Sequence, residues 1–291
     1  MISIIVPAYN EEKAIKNVLL RLVSVADAAF KDYEIVVVDD GSTDNTQQMI
    51  KACQTKKMTL LTHPENMGYG KSLLDGIEAA RYNCIGIIDA DATYPVDDLP
   101  KLFSYYPGYD MVVGARFGKE FRKGVIKRPA RSVFQFLVEY ACGRKIPDVN
   151  SGMRIFKKDL VLQFKPFLCG GFSFTTTLTL IFSLNKYYIK FVPVQMNKRE
   201  GTSKVRHFYD TLRTAQIIVE AILFYNPIKL FLLLGTLNIL FGIALAVGNY
   251  FIFRVKLLSI IASICIASFM PIFCVGLLAF LLTKLYRRSN A

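Results

Sequence analysis

Cys84-Ile85-Gly86-Ile87-Ile88-Asp89-Ala90-Asp91 is an apolar run closed by two carboxylates. A short run of this kind predicts a strand buried on both faces in a parallel sheet. Open α/β sheets bind ligands at the carboxyl ends of their strands, so the run delivers Asp89 and Asp91 to the place where a ligand sits. Acids at alternate positions point to opposite faces of a strand unless the chain turns there. One of the two is therefore expected to meet a hard cation and the other a sugar or ribose hydroxyl. Oxygen ligands from few protein groups suit Mg²⁺ or Mn²⁺ holding a diphosphate. The same acids also fit a polar strand end with solvated carboxylates, and the rest of the chain separates the two readings.

Working outward, the first 110 residues alternate strand and helix. Ile2–Val6 reads as a strand, and Ile15, Val18, Leu19, Leu22 and Val25 recur at helical spacing. Glu34–Val38 is a second strand, closed by the turn Asp39-Asp40-Gly41-Ser42. Thr43 or Asp44 can cap a helix running to about Cys53. Strands follow at Met58–Thr62, Cys84–Asp89 and Asp110–Gly114, with helices at Lys71–Arg81 and Pro95–Tyr106. This order predicts an α/β fold with a mostly parallel, doubly wound, Rossmann-like sheet. Beyond Ala115 a basic segment leads to a helix near Pro129–Cys142 and a loop over Asp148–Phe156 that enters a strand. A helix at Phe174–Leu184 and a strand at Tyr188–Val194 follow. His207–Tyr225 carries apolar residues at helical spacing and fits either an interfacial helix lying on a bilayer or a packed helix of the soluble domain.

With 53% hydrophobic residues and a mean hydropathy of +0.33, the chain is too apolar for one ordinary soluble domain. The excess lies at the C-terminus. Leu230–Phe253 and Leu257–Thr283 carry no charge, and each is long enough to cross a bilayer as a helix of about 20 apolar residues. Only Arg254, Val255 and Lys256 separate them, which predicts a transmembrane hairpin, with a kink at Pro271. Buried helices of a soluble core are the competing reading, and the length of the uncharged stretches opposes it. A hairpin leaves both ends on one side. Lys284, Arg287 and Arg288 then place the N-terminal domain and the C-terminal tail in the cytoplasm, while Arg254 and Lys256 in the outer turn argue mildly the other way. No signal peptide is expected, because Met1 leads straight into the first strand. The expected division is a cytoplasmic domain over residues 1–204, an interfacial helix over 205–227, a hairpin over 228–284 (spans about 229–253 and 257–283) and a tail over 285–291. The expected location is the inner cell membrane.

The net charge of +13 is clustered. Arg116, Lys119, Arg122, Lys123, Lys127, Arg128 and Arg131 face only Glu120, and Lys198, Arg199, Lys204 and Arg206 form a second group. Beside a membrane anchor, such groups suit anionic lipids or phosphates. No nucleic acid partner is expected, since no recognition-helix, zinc-finger or aromatic-platform pattern is present. The six cysteines show no CxxC pairing and read as reduced thiols. With His63 and His207 the only histidines, a zinc site or a serine–histidine triad has little support. Small residues in the spans, such as Gly235, Gly242 and Gly276, permit close helix packing and a homo-oligomer without specifying either.

Two more strand ends carry polar groups. Pro7-Ala8-Tyr9-Asn10-Glu11 follows the first strand and can offer backbone groups and the Glu11 carboxylate to a base or ribose, or be a plain strand-to-helix turn. At Asp39-Asp40-Gly41-Ser42 a carboxylate can accept a hydrogen bond from a base or a ribose hydroxyl, although Asx-Gly turns are common. Gly70-Lys71-Ser72 suggests a P-loop, but Glu65 stands where that pattern requires glycine. Gly68 and Gly70 instead allow close backbone approach, with Lys71 near a phosphate or solvated.

Pro7–Glu11, Asp39–Asp44, Asn66–Lys71 and Asp89–Asp91 thus fall at the ends of successive strands of one sheet. In this joint pattern the chain resembles the family 2 inverting glycosyltransferases with the glycosyltransferase A-type fold. Asp89-Ala90-Asp91 is similar to their metal-binding motif. Within that family the chain is similar to the branch of dolichyl-phosphate mannose synthases and bacterial polyisoprenyl-phosphate glycosyltransferases. Val113-Gly114-Ala115-Arg116, Asp148-Val149-Asn150-Ser151-Gly152-Met153-Arg154, Arg199-Glu200-Gly201-Thr202-Ser203-Lys204 and the C-terminal hairpin carry this likeness.

The resemblance implies roles. Pro7, Tyr9, Glu11 and Asp39 would hold the nucleoside of a UDP- or GDP-linked sugar, and Asp40 and Lys71 belong to the same donor-binding set. Asp89 would contact the ribose or donor sugar. Asp91 would bind the Mg²⁺ or Mn²⁺ that bridges the diphosphate. Arg116 and Arg131 would grip the acceptor phosphate, while Arg199 and Lys204 close over the donor. Related synthases often carry Gln where this chain has Thr93, so a second protein ligand to the metal stays open, and water or the diphosphate can take its place. The Gln-x-x-Arg-Trp signature of processive synthases is absent, as the chain has no Trp.

The implied reaction is inverting transfer of one sugar to a polyprenyl phosphate, undecaprenyl or dolichyl. An acceptor that is already an anion needs little general-base help. It must be held in line by cationic groups. Asp148 would orient a substrate, serve as a base toward a hydroxyl acceptor, or cap the following turn. Arg122, Lys123 and Lys127 also fit contact with anionic lipid. The alternatives are transfer to a lipid hydroxyl such as that of diacylglycerol, a non-catalytic nucleotide-sugar-binding membrane scaffold, and a soluble nucleotidyltransferase, which the hairpin disfavours.

Overall fold

The computed structural model describes residues 1–117, 128–168, 174–197, 216, 219, 220, 222, 223 and 225–289. The chain forms two compact units, Met1–Ala215 and Gln216–Ala291.

The first unit is built on a seven-stranded sheet. Its strands are β1 (Ile2–Ala8), β2 (Tyr33–Asp39), β3 (Met58–Thr62), β4 (Cys84–Ile87), β5 (Met111–Phe117), β6 (Arg154–Lys157) and β7 (Ile189–Gln195). They lie in the order β3-β2-β1-β4-β6-β5-β7. All neighbours run parallel except β6, which is antiparallel to both β4 and β5. The mostly parallel sheet is as expected, and the reversal at β6 is a finding of the structure. The helices are α1 (Ile15–Ala29), α2 (Thr46–Ala52), α3 (Tyr69–Ala79), α4 (Leu99–Phe103), α5 (Arg128–Cys142), α6 (Lys158–Gln163) and α7 (Phe174–Leu184). The helix expected over Pro95–Tyr106 is shorter, a 3₁₀ turn at Val96–Asp98 followed by α4.

Alternating side chains place a core on each face of the sheet. Ile2, Ile4 and Val6 of β1, with Ile35 and Val37 of β2, pack against Val18, Leu19 and Leu22 of α1. Ile5, Val36 and Val38 face the other way, onto Leu73, Leu74 and Ile77 of α3. Every residue of β1 and β4 is buried, as a central strand covered on both faces requires. The carboxyl ends of β1, β2 and β4 and the entry to β6 therefore share one edge of the sheet.

The second unit holds α8 (Pro227–Gly248), α9 (Lys256–Ala267) and α10 (Phe269–Ser289). α8 continues as a π-helical turn over Asn249–Phe253, and the chain reverses at Arg254, whose φ is 50°. Asn249 closes this turn. Its side chain accepts from the Val255 N–H at 2.7 Å and donates to Ser259 Oγ at 2.7 Å. The second apolar stretch is two helices with a break at Ser268. Pro271 has no N–H to offer the Ala267 carbonyl, so the first helix ends there. Asn238 of α8 spans the gap, donating to the Cys265 carbonyl at 2.8 Å and to Ser268 Oγ at 2.5 Å. Pro227–Ile252 and Lys256–Leu285 have mean hydropathies of 2.4 and 2.5, and their apolar windows are only 17% and 6% buried. They are long and apolar enough to cross a membrane, which makes them a candidate hairpin. The helix expected over His207–Tyr225 lies mostly outside the described residues.

Candidate active site

At the carboxyl edge of the sheet a cavity of about 480 Å³ is lined by Pro7 and Ala8 at the end of β1, Tyr9 and Glu11 after it, Asp40 after β2 and Asn66 and Gly68 before α3. Its wall continues through Asp89 to Asp91 after β4, Arg116 of β5, Asn150 and Gly152 before β6, and Thr175 of α7.

Three loops at the β1 and β2 end are tied to one another. Glu11 N–H donates to Thr46 Oγ1 at 2.7 Å, and Thr43 N–H to Asn10 Oδ1 at 2.7 Å. Asp39 is buried and accepts from the Ser42 N–H at 3.2 Å; it does not line the cavity. Asp40 accepts the Met67 and Gly68 N–H groups, at 2.8 and 2.9 Å, so it holds the segment entering α3. Gly41 makes this possible. Its φ is +66°, and a Cβ there would lie 2.5 Å from the Glu65 carbonyl carbon. His63 bridges Asp40 and Asp75, at 2.7 and 3.0 Å. Lys71 pairs with Asp75 at 2.5 Å and does not line the cavity.

At the β4 end the strand stops at Ile87 and the chain turns. Ala92 takes a left-handed φ of 59°. This turn brings both acids to the cavity although they sit at alternate positions. Asp89 Oδ1 accepts from Tyr69 OH at 2.9 Å. Burial, and next the Asp89 carboxylate, push the Tyr69 phenol well above its usual range, so it stays a donor. Asp89 is also hemmed in by Gly152, where an added Cβ would lie 2.2 Å from Asp89 Oδ2. Asp91 Oδ1 accepts from the Thr93 hydroxyl at 2.5 Å and from its N–H at 3.1 Å. Tyr94, its phenol pushed by burial to about 12, accepts the Gly152 N–H at 2.7 Å.

At the β5 end Arg116 makes a two-pronged pair with Asp148, Nε to Oδ2 at 2.7 Å and Nη2 to Oδ1 at 2.8 Å. The Arg116 and Asn150 N–H groups donate to the same carboxylate, at 3.0 and 3.1 Å. Asp148 is thus buried behind Arg116 as its partner and as the cap of the Asn150 turn, and it does not line the cavity. Behind the wall lies Arg154, fully buried. Its guanidinium donates to the Ser151 carbonyl, to the Thr175 carbonyl at 3.2 Å and to Thr179 Oγ1 at 3.2 Å. Burial lowers its pKa to about 10.

A model of a protein family described as "Glycosyl transferase family 2" matches residues 3–164, more than half of the chain. The chain belongs to glycosyl transferase family 2. It is accordingly a glycosyltransferase that uses a nucleotide-sugar donor. Its fold is similar to that of glucosyl-3-phosphoglycerate synthase from Mycobacterium tuberculosis in several complexes. The structure with Mn²⁺, uridine diphosphate and phosphoglyceric acid has a TM-score of 0.60 at 19% identity, covering 76% of this chain and 78% of that one. The structure with Mn²⁺, UDP-glucose and phosphoglyceric acid gives 0.60 at 18% identity, covering 76% and 79%. That with Mg²⁺ and uridine diphosphate gives 0.58 at 18% identity, with the same coverage. The fold is the glycosyltransferase A type.

Within this family fold, the cavity gathers Pro7, Tyr9, Glu11, Asp40, Asp89, Asp91 and Arg116 from the residues that the sequence singled out. Asp39, Lys71 and Asp148 stand outside its lining. The side chain of Arg131, on α5, and all of Arg199 and Lys204 lie outside the described residues. The structure adds Tyr69, Tyr94, Asn150, Gly152 and Thr175. No local motif marks these five as one set. Asn150-Ser151-Gly152 was visible as a likeness to relatives, but its place beside Asp89 depends on the antiparallel entry of β6.

Proposed function

We propose that this glycosyltransferase moves one sugar from a UDP- or GDP-linked donor to a polyprenyl phosphate, inverting the anomeric carbon, at the cytoplasmic face of the cell membrane. The observation that carries the acceptor is the C-terminal pair of apolar helices, whose outward faces suit lipid tails. Lys284, Arg287 and Arg288 at the end of the second helix favour a cytoplasmic catalytic unit.

The donor would lie along the edge of the sheet, with its nucleoside at Pro7, Tyr9 and Glu11 and its diphosphate toward Asp89 and Asp91. Asp91 fits a divalent cation. Its carboxylate sits on the cavity wall beside Asp89 and the Thr93 hydroxyl, all hard oxygen donors. Among the described residues no group of three or more His, Cys, Asp or Glu forms a complete cage, so diphosphate and water would supply the remaining ligands. A bound Mg²⁺ or Mn²⁺ would stabilise the charge of the departing nucleoside diphosphate. Arg116, held rigidly by Asp148, would orient the acceptor phosphate against the sugar, with Arg131, Arg199 and Lys204 as its proposed helpers. The commitment of Asp148 to Arg116 agrees with an acceptor that needs no base, because a phosphate oxygen is already a nucleophile.

The test is turnover by the detergent-solubilised full chain with undecaprenyl phosphate, Mg²⁺ or Mn²⁺, and in turn UDP-glucose, UDP-galactose, UDP-N-acetylglucosamine and GDP-mannose. A chelator-sensitive glycolipid from one donor is expected. Transfer to diacylglycerol and not to the polyprenyl phosphate would sink the acceptor reading.

A further inference from the structure

α7 carries threonines at 175, 176, 177 and 179, all buried. Two of their hydroxyls have clear structural work. Thr176 Oγ1 donates to Asn150 Oδ1, and Thr179 Oγ1 donates to the Thr175 carbonyl at 2.8 Å. Thr175 differs. It is 4% exposed and lines the cavity, and its hydroxyl has no hydrogen-bond partner among the described residues. Its backbone is pinned, because the Thr175 carbonyl accepts from both Arg154 and Thr179. Arg154 also binds the Ser151 carbonyl, so one buried cation fixes Thr175 relative to Gly152. A buried hydroxyl without a partner carries a desolvation penalty, and its place on a cavity wall points to a ligand as the missing partner.

The sheet order identifies which part of a ligand it meets. Across the edge, Tyr9 and Glu11 follow β1, Asp89 and Asp91 follow β4, Asn150 and Gly152 precede β6, and Arg116 ends β5. A donor with its nucleoside at β1 and its diphosphate at β4 puts the next group, the sugar, at the entry to β6. There it meets two neutral polar groups, the Thr175 hydroxyl and the Asn150 carboxamide, whose Oδ1 is occupied by Thr176. Neutral donors and acceptors suit sugar hydroxyls, and a phosphate would favour Arg116.

We propose that Thr175 is a specificity-determining residue that hydrogen-bonds a hydroxyl of the transferred sugar. The proposal rests on the donor placement given under Proposed function. Sites built to bond a substrate hydroxyl discriminate against donors that lack it.

The experiment compares the full chain with Thr175→Val, nearly the same shape without the hydroxyl, and Thr175→Ser. Steady-state kcat/KM is measured with the best used of the four donors above and with its monodeoxy forms. Calorimetry with Mn²⁺ compares binding of that nucleotide sugar with binding of the nucleoside diphosphate alone. We expect Thr175→Val to lower kcat/KM about 2- to 12-fold, the equivalent of one net hydrogen bond. Thr175→Ser should keep most of the activity. One monodeoxy donor should be used equally well by wild type and Thr175→Val, and the nucleoside diphosphate should bind all three alike. Equal losses with every donor, or no loss with any, would overturn the proposal. If no acceptor is glycosylated, the acceptor reading falls, and calorimetry still decides. A sugar-dependent gain in affinity that is absent from Thr175→Val supports the role of Thr175. A gain retained in that variant, or no gain in wild type, ends it.

Discussion

The two ends of the cavity use carboxylates differently. At the β1 and β2 end, Asp39 and Asp40 accept backbone N–H groups, and the His63 side chain on Asp40 ties it to Asp75 of α3, so they hold loops in shape. At the β4 and β5 end, Asp89 accepts from Tyr69, and Asp91 and Asp148 add the side chains of Thr93 and Arg116 to the backbone N–H groups they accept, so they also hold functional groups in place. A backbone donor is fixed once the loop folds, whereas a side-chain donor can be removed without unfolding the loop. Substitutions at the first end should therefore act through folding and nucleoside affinity, and those at the second through the transfer step.

Asp91→Ala tests the second end hardest. It should lower turnover by about 10²- to 10³-fold, the scale on which an electrostatic contributor at a reacting centre acts. Calorimetry should also show that Mn²⁺ no longer raises affinity for the nucleoside diphosphate of the donor that the wild type uses. Metal-stimulated binding that survives would move the ion to another residue. Gly152→Ala comes next. The new Cβ meets Asp89 Oδ2, so the carboxylate must shift, and a displacement of about 1 Å can cost roughly 10²-fold in rate. Affinity for the same nucleoside diphosphate should stay unchanged. A fall in that affinity would join the two ends into one unit.

The strand ends that carry these carboxylates are legible in the sequence, the division of labour among them is not, and the reasons are physical. β1, β2 and β4 are short apolar runs closed by polar residues, so their ends announce themselves. α7 was predicted with the bounds that it has, because Phe174–Leu184 is apolar and free of breakers. The reversal of β6 was not legible. Arg154–Lys157 is four residues long, and nothing in Arg-Ile-Phe-Lys fixes its direction. Gly152, Asn150 and Thr175 depend on that reversal for their place, so their roles stayed hidden with it. Lys71 shows what a local motif leaves out. A cation after Gly68 and Gly70 suggests a phosphate or a solvated side chain, and in the structure it pairs with Asp75, four residues on along α3. The second span was expected to kink at Pro271; it breaks at Ser268 instead, because the hydrogen bond that a proline cannot make is the one to the carbonyl four residues upstream.

Asp148→Asn has a smaller expected effect. An amide can still accept from Arg116, but it brings an N–H₂ toward donors already there. Turnover should fall about 10-fold, the lower end of what a hydrogen bond to a charged group contributes. The pH profile should keep its shape, since Asp148 is buried and does not line the cavity. Complete loss together with loss of the acidic limb would make Asp148 a base and favour a hydroxyl acceptor.

Lys71→Ala should do least. The Lys71 and Asp75 side chains are 45% and 25% exposed, and pairs of this kind contribute about 0 to 1 kcal/mol. Asp75 keeps its bond to His63, and His63 keeps Asp40, so the Met67–Gly68 segment should hold its shape. Both kcat/KM and affinity for the donor's nucleoside diphosphate should stay within about twofold, with a melting temperature within a few degrees of wild type. A tenfold loss of affinity at an unchanged melting temperature would mean that Lys71 leaves Asp75 for the diphosphate when donor binds. The first end would then supply a mobile side chain of its own, and the division between loop-holding and group-holding carboxylates would apply only to the cavity without donor.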